Sequence, residues 1–221
     1  IEVKIMDKLL TVVIPSYNVE KFLNQTLDSF ICDEAVMKKF EVIVVDDGSK
    51  DNTAKIGKEY ADKYPDTFRV ISKENGGHGS TINCGIRNAV GKYFKVVDGD
   101  DWVNTADFVK LVEDLEKTES EYVFTNYYEY YDDVNRQKAV DFPQFKDGTE
   151  YDFADVANKV YIPMHALVIK TSVLKDNNIV IDEKCFYVDV EYVMFPVPFV
   201  NKVTFFDLHV YMYRLALSTQ S

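Results

Sequence analysis

Leu10-Thr11-Val12-Val13-Ile14, followed at once by Pro15-Ser16-Tyr17-Asn18, is the stretch on which the fold turns. A short apolar and β-branched run stopped by proline predicts a strand buried on both faces, as in a parallel sheet covered by helices. The flanking sequence extends that pattern. Phe22, Leu23, Leu27, Phe30 and Ile31 form the apolar stripe of a helix expected from about Glu20 to Cys32. Phe40 to Val45 (FEVIVV) predicts a second buried strand, and Ser49 or Asp51 suits the cap of a helix running to about Tyr64. Phe68 to Ser72 predicts a third strand, followed by a glycine-rich loop, a helix to about Ala89 and a fourth strand at Tyr93 to Val97. Strand and helix alternate throughout, so a right-handed α/β sheet is expected.

The second half changes character. After a helix from about Ala106 to Lys117, Tyr122 to Tyr131 (YVFTNYYEYY) predicts an aromatic strand, paired antiparallel with one around Gln137 to Val140. A strand at Ala166 to Ile169, helices near Thr171 to Asn177 and Asp189 to Phe199, and terminal strands at Val203 to Leu208 and Val210 to Tyr213 complete the expectation. Repeats, low-complexity tracts and linkers are absent from the sequence, which predicts one compact domain over residues 1–221, with a nucleotide-binding type half over 1–104 and a second half over 105–221.

The 221 residues carry 25 Lys and Arg against 37 Asp and Glu, a formal net charge of −12. A surface this acidic repels a phosphate backbone, which excludes nucleic acid as a general partner. An anionic ligand must instead be held locally, by backbone amides, a helix N-terminus or a metal ion. Cys32, Cys84 and Cys185 show no C-x-x-C spacing and read as reduced, cytosolic thiols. Eighteen apolar residues nowhere follow one another, and Ile1 to Leu10 lacks a signal pattern, so the expected location is cytoplasmic, with any membrane anchor beyond Ser221.

Ligands of open α/β sheets bind where strands end. The predicted strands here end in Pro15-Ser16-Tyr17-Asn18, Asp46-Asp47-Gly48-Ser49, Asn75-Gly76-Gly77-His78-Gly79-Ser80 and Asp98-Gly99-Asp100-Asp101. One acidic turn after a strand is ordinarily a cap or a solvated loop; all four on one rim point to a ligand. Asp98, Asp100 and Asp101 suit a hard cation, Mg²⁺ or Mn²⁺, which takes oxygen ligands and keeps substrate oxygens in its shell. An EF-hand is excluded because Trp102 stands at its third ligand position. Gly77-His78-Gly79 with Asp98 or Asp100 about twenty residues on approaches the dinucleotide fingerprint, but Ile82 occupies the third glycine position and the acids form a cluster.

The ordered motifs VVIPSYN (12–18), VIVVDDGSKDNT (42–53), NGGHGSTINCGIRNAVGKYFKVVDGDDW (75–102) and YVDVEY (187–192) resemble those of family 2 glycosyltransferases of the GT-A fold, across about residues 9–215. The resemblance implies a Rossmann-like, mostly parallel central sheet flanked by helices, with a small antiparallel part in the C-terminal half. It implies a metal-dependent, inverting transfer from a nucleotide-sugar donor, UDP-linked, to a saccharide or lipid-linked acceptor gripped by residues 105–221, in cell-surface polysaccharide synthesis. Carried onto this sequence, Tyr17 stacks on the base and Asp46 bonds its edge. Pro15, Ser16, Glu20 and Asp47 support base and ribose, and Gly77, His78 and Gly99 complete the donor site. Asp98 and Asp100 match the D-x-D motif, with Asp100 the direct ligand of Mn²⁺ or Mg²⁺. Asp189 matches the catalytic base.

Two departures stand out. Val188 replaces the glutamate that usually precedes the base, with Glu191 following two residues later. Ile82 stands where many relatives have arginine, leaving His78, Lys73 or the loop amides to meet phosphate. Several residues carry two readings: Asp189 as base or helix N-cap, Trp102 beside Asp101 as sugar platform or core, and His165 as acceptor contact or buried histidine. His209 reads as structural, and Tyr127, Tyr128, Tyr130 and Tyr131 are explained by alternating strand faces. Competing functions are a sugar nucleotidyltransferase, whose glycine-rich arginine loop is missing near the first strand, and an inactive nucleotide-sugar-binding module. The segment Arg214 to Ser221 resembles the entry to a longer C-terminal region, which leaves room for peripheral membrane association.

Overall fold

The computed structural model describes residues 8–215. The expectation for the segment after Leu215 lies outside them. Among the described residues, ten strands form one mixed sheet in the order β3-β2-β1-β4-β9-β6-β10-β5, with β7 added on β6 and β8 on β10. The first half supplies β1 (Leu10–Ser16), α1 (Leu23–Asp28), α2 (Glu34–Met37), β2 (Phe40–Asp46), α3 (Thr53–Lys63), β3 (Phe68–Ser72), α4 (His78–Asn88), β4 (Tyr93–Val96) and β5 (Trp102–Val103). Then follow α5 (Thr105–Asp114), β6 (Tyr122–Tyr131), β7 (Arg136–Val140), β8 (Thr149–Asp152), α6 (Phe153–Ala157), β9 (Leu167–Lys170), α7 (Thr171–Asp176), α8 (Val188–Met194) and β10 (Lys202–Leu215).

β1 and β2 are buried along their whole length, as an uninterrupted apolar run requires in a sheet covered on both faces. Alternation sorts their side chains: Val13, Ile43 and Val45 join one core with Ile82 and Phe124, while Val12, Ile14, Val42 and Val44 join the other with Phe108 and Leu111. β3, β2, β1 and β4 run parallel, so their carboxyl ends share one rim. The antiparallel strand β9 stitches β4 to β6, which then runs parallel to β10. The β6–β7 hairpin pairs antiparallel, as expected.

Four local expectations are corrected. The first helix is shorter than Glu20 to Cys32: Val19 N–H on Thr53 Oγ1 and Glu20 N–H on Asp51 tie down a turn before Leu23, and after Asp28 the chain tightens into three-residue turns, with Phe30 N–H on the Leu27 carbonyl and Ile31 N–H on the Asp28 carbonyl. The next helix has Asn52 at its N-cap, although Asp51 Oδ1 does accept from Thr53 N–H. The helix expected from Asp189 to Phe199 ends at Met194, and Pro196 introduces a separate 3₁₀ turn at Val197–Phe199. The two terminal strands are one strand, in which His209 marks a register shift instead of a break. α2, β5, β8 and α6 were not expected; at two to five residues they are too short for a hydrophobic period to show.

α4 lies so close on β1 that a Cβ at Gly85 would come within 2.4 Å of Val13 Cγ2. Gly85→Ala is expected to lower stability by about 1–3 kcal/mol through overpacking, read from chemical denaturation midpoints. Wild-type stability in that variant would show that the two elements separate freely.

Candidate active site

The shared rim opens into a cleft of about 620 Å³. Pro15 and the half-exposed Tyr17 ring reach it from the end of β1, and His78 from the start of α4. The loop after β4 contributes Asp98 to Asp101, the approach to β9 contributes Met164 and His165, and the entry to α8 contributes Phe186 to Asp189. Tyr213 of β10 closes one side.

The four-residue loop after β4 treats its three carboxylates differently. Asp98 Oδ1 lies 2.8 Å from His78 Nε2. Burial opposes its ionisation, but the charge and hydrogen bond of His78 prevail and hold Asp98 below the ordinary carboxylate value. For His78, burial disfavours the cation, yet Asp98 raises its pKa above the ordinary value. Asp101 is fully buried, accepting from Tyr211 Oη at 2.6 Å and from Arg214 N–H at 2.7 Å. Burial and the neighbouring acids push it well upward. Asp100 is left facing the cleft, and burial with the charge of Asp98 raises it to about 6. Arg214 pins the loop, donating from Nε to the Asp100 carbonyl at 2.8 Å and from Nη2 to Gln25 Oε1 at 2.6 Å, with Nη1 on Asp132.

Among the described residues, no group of three or more His, Cys, Asp or Glu side chains is arranged to hold a metal alone. Asp98 and Asp100 form a two-carboxylate donor set whose mutual repulsion a cation would relieve, and such a site fits a hard cation that fills its shell with substrate oxygens.

Several residues expected in the site support it from behind. Asp47 is buried and binds the glycine loop, accepting from Gly76 N–H at 3.0 Å, Gly77 N–H at 2.8 Å and Lys73 Nζ at 2.8 Å. Gly77 turns there with φ +85°, a conformation that favours glycine. Asp46 Oδ1 accepts from Ser49 N–H, Glu20 from Asn52, and the Ser16 hydroxyl donates to the Ile14 carbonyl. Trp102 packs edge-on against Tyr130, with the Arg214 guanidinium over its ring. Glu191 braces the loop before α8 by accepting from Asp182 N–H. Ile82, at the position of the missing arginine, is wholly in the core. Lys73 is tied to Asp47, Ser80 and the Glu74 carbonyl.

Asp189 is not the helix N-cap. That position belongs to Tyr187, in the left-handed region with φ 62°, which places Asp189 in the first turn on the cleft wall. His209 bonds Asp141 and stacks on Tyr128, away from the cleft lining. Tyr213, Phe186 and Met164 line the cleft without having carried any sequence signal, since aromatic and apolar residues there read as core. Arg214 had one: a lone cation closing the apolar and aromatic run Val210-Tyr211-Met212-Tyr213.

Comparison with known proteins places these features in context. A family model described as glycosyl transferase family 2 matches residues 11–177. The chain is 37% identical over 123 residues to the uncharacterized glycosyltransferase EpsJ of Bacillus subtilis (strain 168), covering 56% of this chain and 35% of that protein. It is 34% identical over 111 residues to the minor teichoic acid biosynthesis protein GgaB of the same strain, covering 50% of this chain and 12% of GgaB. The matched stretch is thus about a third of these relatives or less. Staphylococcus aureus TarS 1–349 in complex with UDP-GlcNAc superposes with a TM-score of 0.79 at 24% identity, over 95% of this chain and 59% of that one. The mannosyltransferase PcManGT from Pyrobaculum calidifontis, in complex with GDP-Man and Mn²⁺, gives 0.69 at 18% identity, over 96% and 59%. These likenesses show a shared GT-A fold.

The His78–Asp98 pair makes stability depend on pH. The raised value of His78 contributes stability that is full below 6.5 and is lost as pH rises through its folded value. The lowered value of Asp98 contributes stability present above 3.8 and lost as pH falls through its folded value. In EDTA, the advantage of wild type over His78→Gln in thermal midpoint is therefore expected to peak between 3.8 and 6.5 and shrink on either side. A difference independent of pH would show that the two side chains are not an ion pair.

Proposed function

We propose, from the premise that the chain belongs to glycosyl transferase family 2, that its cleft binds a UDP-sugar and passes the glycosyl group with inversion to a hydroxyl of a saccharide or lipid-linked acceptor. The observation that carries this reading is the meeting of the Asp98–Asp100 carboxylates and Asp189 in one cleft, from the loop after β4 and the first turn of α8. The UDP-GlcNAc complex of TarS and the teichoic acid role in the name of GgaB support a uridine donor and a cell-surface polymer as setting. No helix among the described residues is long and apolar enough to cross a membrane, and we place the reaction on the cytoplasmic side.

On the donor side, the Tyr17 ring, half exposed at the rim, stacks on the base. Asp46, with Oδ1 on Ser49 N–H, shapes the turn beside the base from behind the cleft wall. Asp47 holds Gly76 and Gly77 so that the loop stays open beside the diphosphate. Asp98 and Asp100 would hold Mn²⁺ or Mg²⁺, which when bound neutralises charge on the departing diphosphate. The Mn²⁺ in the PcManGT complex supports that choice.

Asp189 acts as the general base. Its carboxylate takes the proton of the acceptor hydroxyl while the acceptor oxygen bonds to the anomeric carbon and the bond from that carbon to the diphosphate oxygen breaks. Attack from the face opposite the leaving group inverts the centre. Base catalysis is typically worth 10²–10⁴-fold, so Asp189→Asn is expected to lose about that much transfer while UDP affinity holds.

Calorimetric titration of UDP with and without Mn²⁺, on wild type and Asp100→Ala, tests the donor site. Binding is expected to need both the cation and Asp100. Wild-type protein that ignores UDP, or binds it equally without either, would overturn the reading. Release of pyrophosphate from a sugar phosphate and a nucleoside triphosphate would replace it with nucleotidyl transfer.

A further inference from the structure

The transfer described above gives no work to His165, the second histidine of the cleft lining. His165 stands just before β9, and its ring is enclosed by three tyrosines: Tyr213 at 3.9 Å between centroids, Tyr211 edge-on at 4.9 Å and Tyr127 stacked at 5.6 Å. These come from the two central strands of the second half, β6 and β10, so the box around the ring is part of the sheet.

Its backbone is held as firmly. Lys95 of β4 is wholly buried, and its Nζ donates to the His165 carbonyl at 2.9 Å and the Leu167 carbonyl at 3.2 Å, with the ammonium 5.3 Å from the Tyr211 ring centroid. A charged lysine is an expensive group to bury, and burial lowers the Lys95 pKa to about 7. Here it fixes the turn that carries His165 and touches one wall of the ring's box.

The ring nitrogens are treated in the opposite way. No hydrogen bond of the described residues reaches them, and neither is among the buried polar atoms left without a partner, so they remain accessible where His165 lines the cleft. His165 shares the cleft lining with Asp98 and Asp189, and the charge of both carboxylates is felt at its ring. Burial drives its pKa down to about 4, leaving a neutral imidazole with one donor and one acceptor nitrogen. That pair matches a sugar hydroxyl, which both donates and accepts.

We propose that His165 hydrogen-bonds a hydroxyl of the glycosyl group being transferred, and that Lys95 is the positioning residue that holds it there. This rests on the donor reading given above. The aromatic box keeps the ring orientation fixed, so the contact selects which hydroxyl is read; a flexible side chain would accept several.

The test compares UDP with UDP-glucose, UDP-galactose, UDP-N-acetylglucosamine and UDP-N-acetylgalactosamine by calorimetric titration in Mn²⁺, on wild type, His165→Ala, His165→Gln and Lys95→Met. His165→Ala is expected to weaken the preferred UDP-sugar by roughly tenfold, the size of one net hydrogen bond, with UDP itself unchanged within about twofold. His165→Gln, which keeps a donor and an acceptor, is expected to recover part of the loss. Lys95→Met is expected to lower the ratio of UDP-sugar to UDP affinity as well; a lowered thermal midpoint with the ratio intact would make Lys95 a merely structural residue and overturn its role. Equal weakening of UDP and UDP-sugar in His165→Ala, no weakening of either, or a wild type that binds every UDP-sugar as it binds UDP would overturn the role of His165 while the donor site stands. A wild type that binds no UDP would remove the donor reading itself, and this inference with it.

Discussion

The site depends on one buried contact, the Asp101 carboxylate between the Tyr211 hydroxyl and the Arg214 amide. β10 is thereby joined to the loop after β4, and the join is doubled by Arg214 on the Asp100 carbonyl and by the Tyr211 hydroxyl, which also accepts from Asp98 N–H. A carboxylate without water is costly unless its lone pairs are taken. Asp101 meets that condition by using both oxygens on β10, so the acidic loop has one position relative to the sheet. Asp98 and Asp100 inherit that position, and the second half of the chain becomes part of the cleft instead of a neighbour to it.

The three acids of the loop thus serve three ends. Asp101 is spent on structure, Asp98 is matched by His78, and Asp100 keeps the unrelieved charge. The net charge of −12 gives no general attraction for an anion. Local arrangement has to supply it: the two neighbouring carboxylates repel an anion by themselves, and only a cation held between them would reverse the sign of the local field.

The first half of the fold was legible because its two central strands are buried along their whole length: Leu10–Ser16 and Phe40–Asp46 lie where apolar runs place them, and the half-buried edge strand Phe68–Ser72 follows at the expected position. Tyr122–Tyr131 was equally plain, since aromatics on both faces suit a strand inside a sheet. What stayed hidden was set by contacts across the chain. Nothing local in Val19-Glu20-Lys21-Phe22 shows that Thr53 and Asp51 will tie the Val19 and Glu20 amides into a turn before the helix. In the site, the residue types at the strand ends announced a ligand, and nine of the sixteen expected positions, among them Asp98, Asp100 and Asp189, line the cleft. Asp47 and Glu20 were visible as acids, but only the fold shows their oxygens committed to backbone amides behind the wall. Tyr213 was invisible as a site residue for the converse reason: on a strand, it reads as packing.

The clasp of β10 on the acidic loop also orders events during synthesis. β1, β2, β3 and β4 can pair as soon as residues up to Val96 have left the ribosome, because their ladders join segments of the same half. The partners of Asp101 are made more than a hundred residues later, and at about 5–20 residues per second that interval is roughly 6–20 s. Through it the emerging chain owns a sheet but no fixed acidic loop. A nascent protein of this design therefore acquires its shape before its competence, and a chain released early would expose its acids without the strand that arranges them.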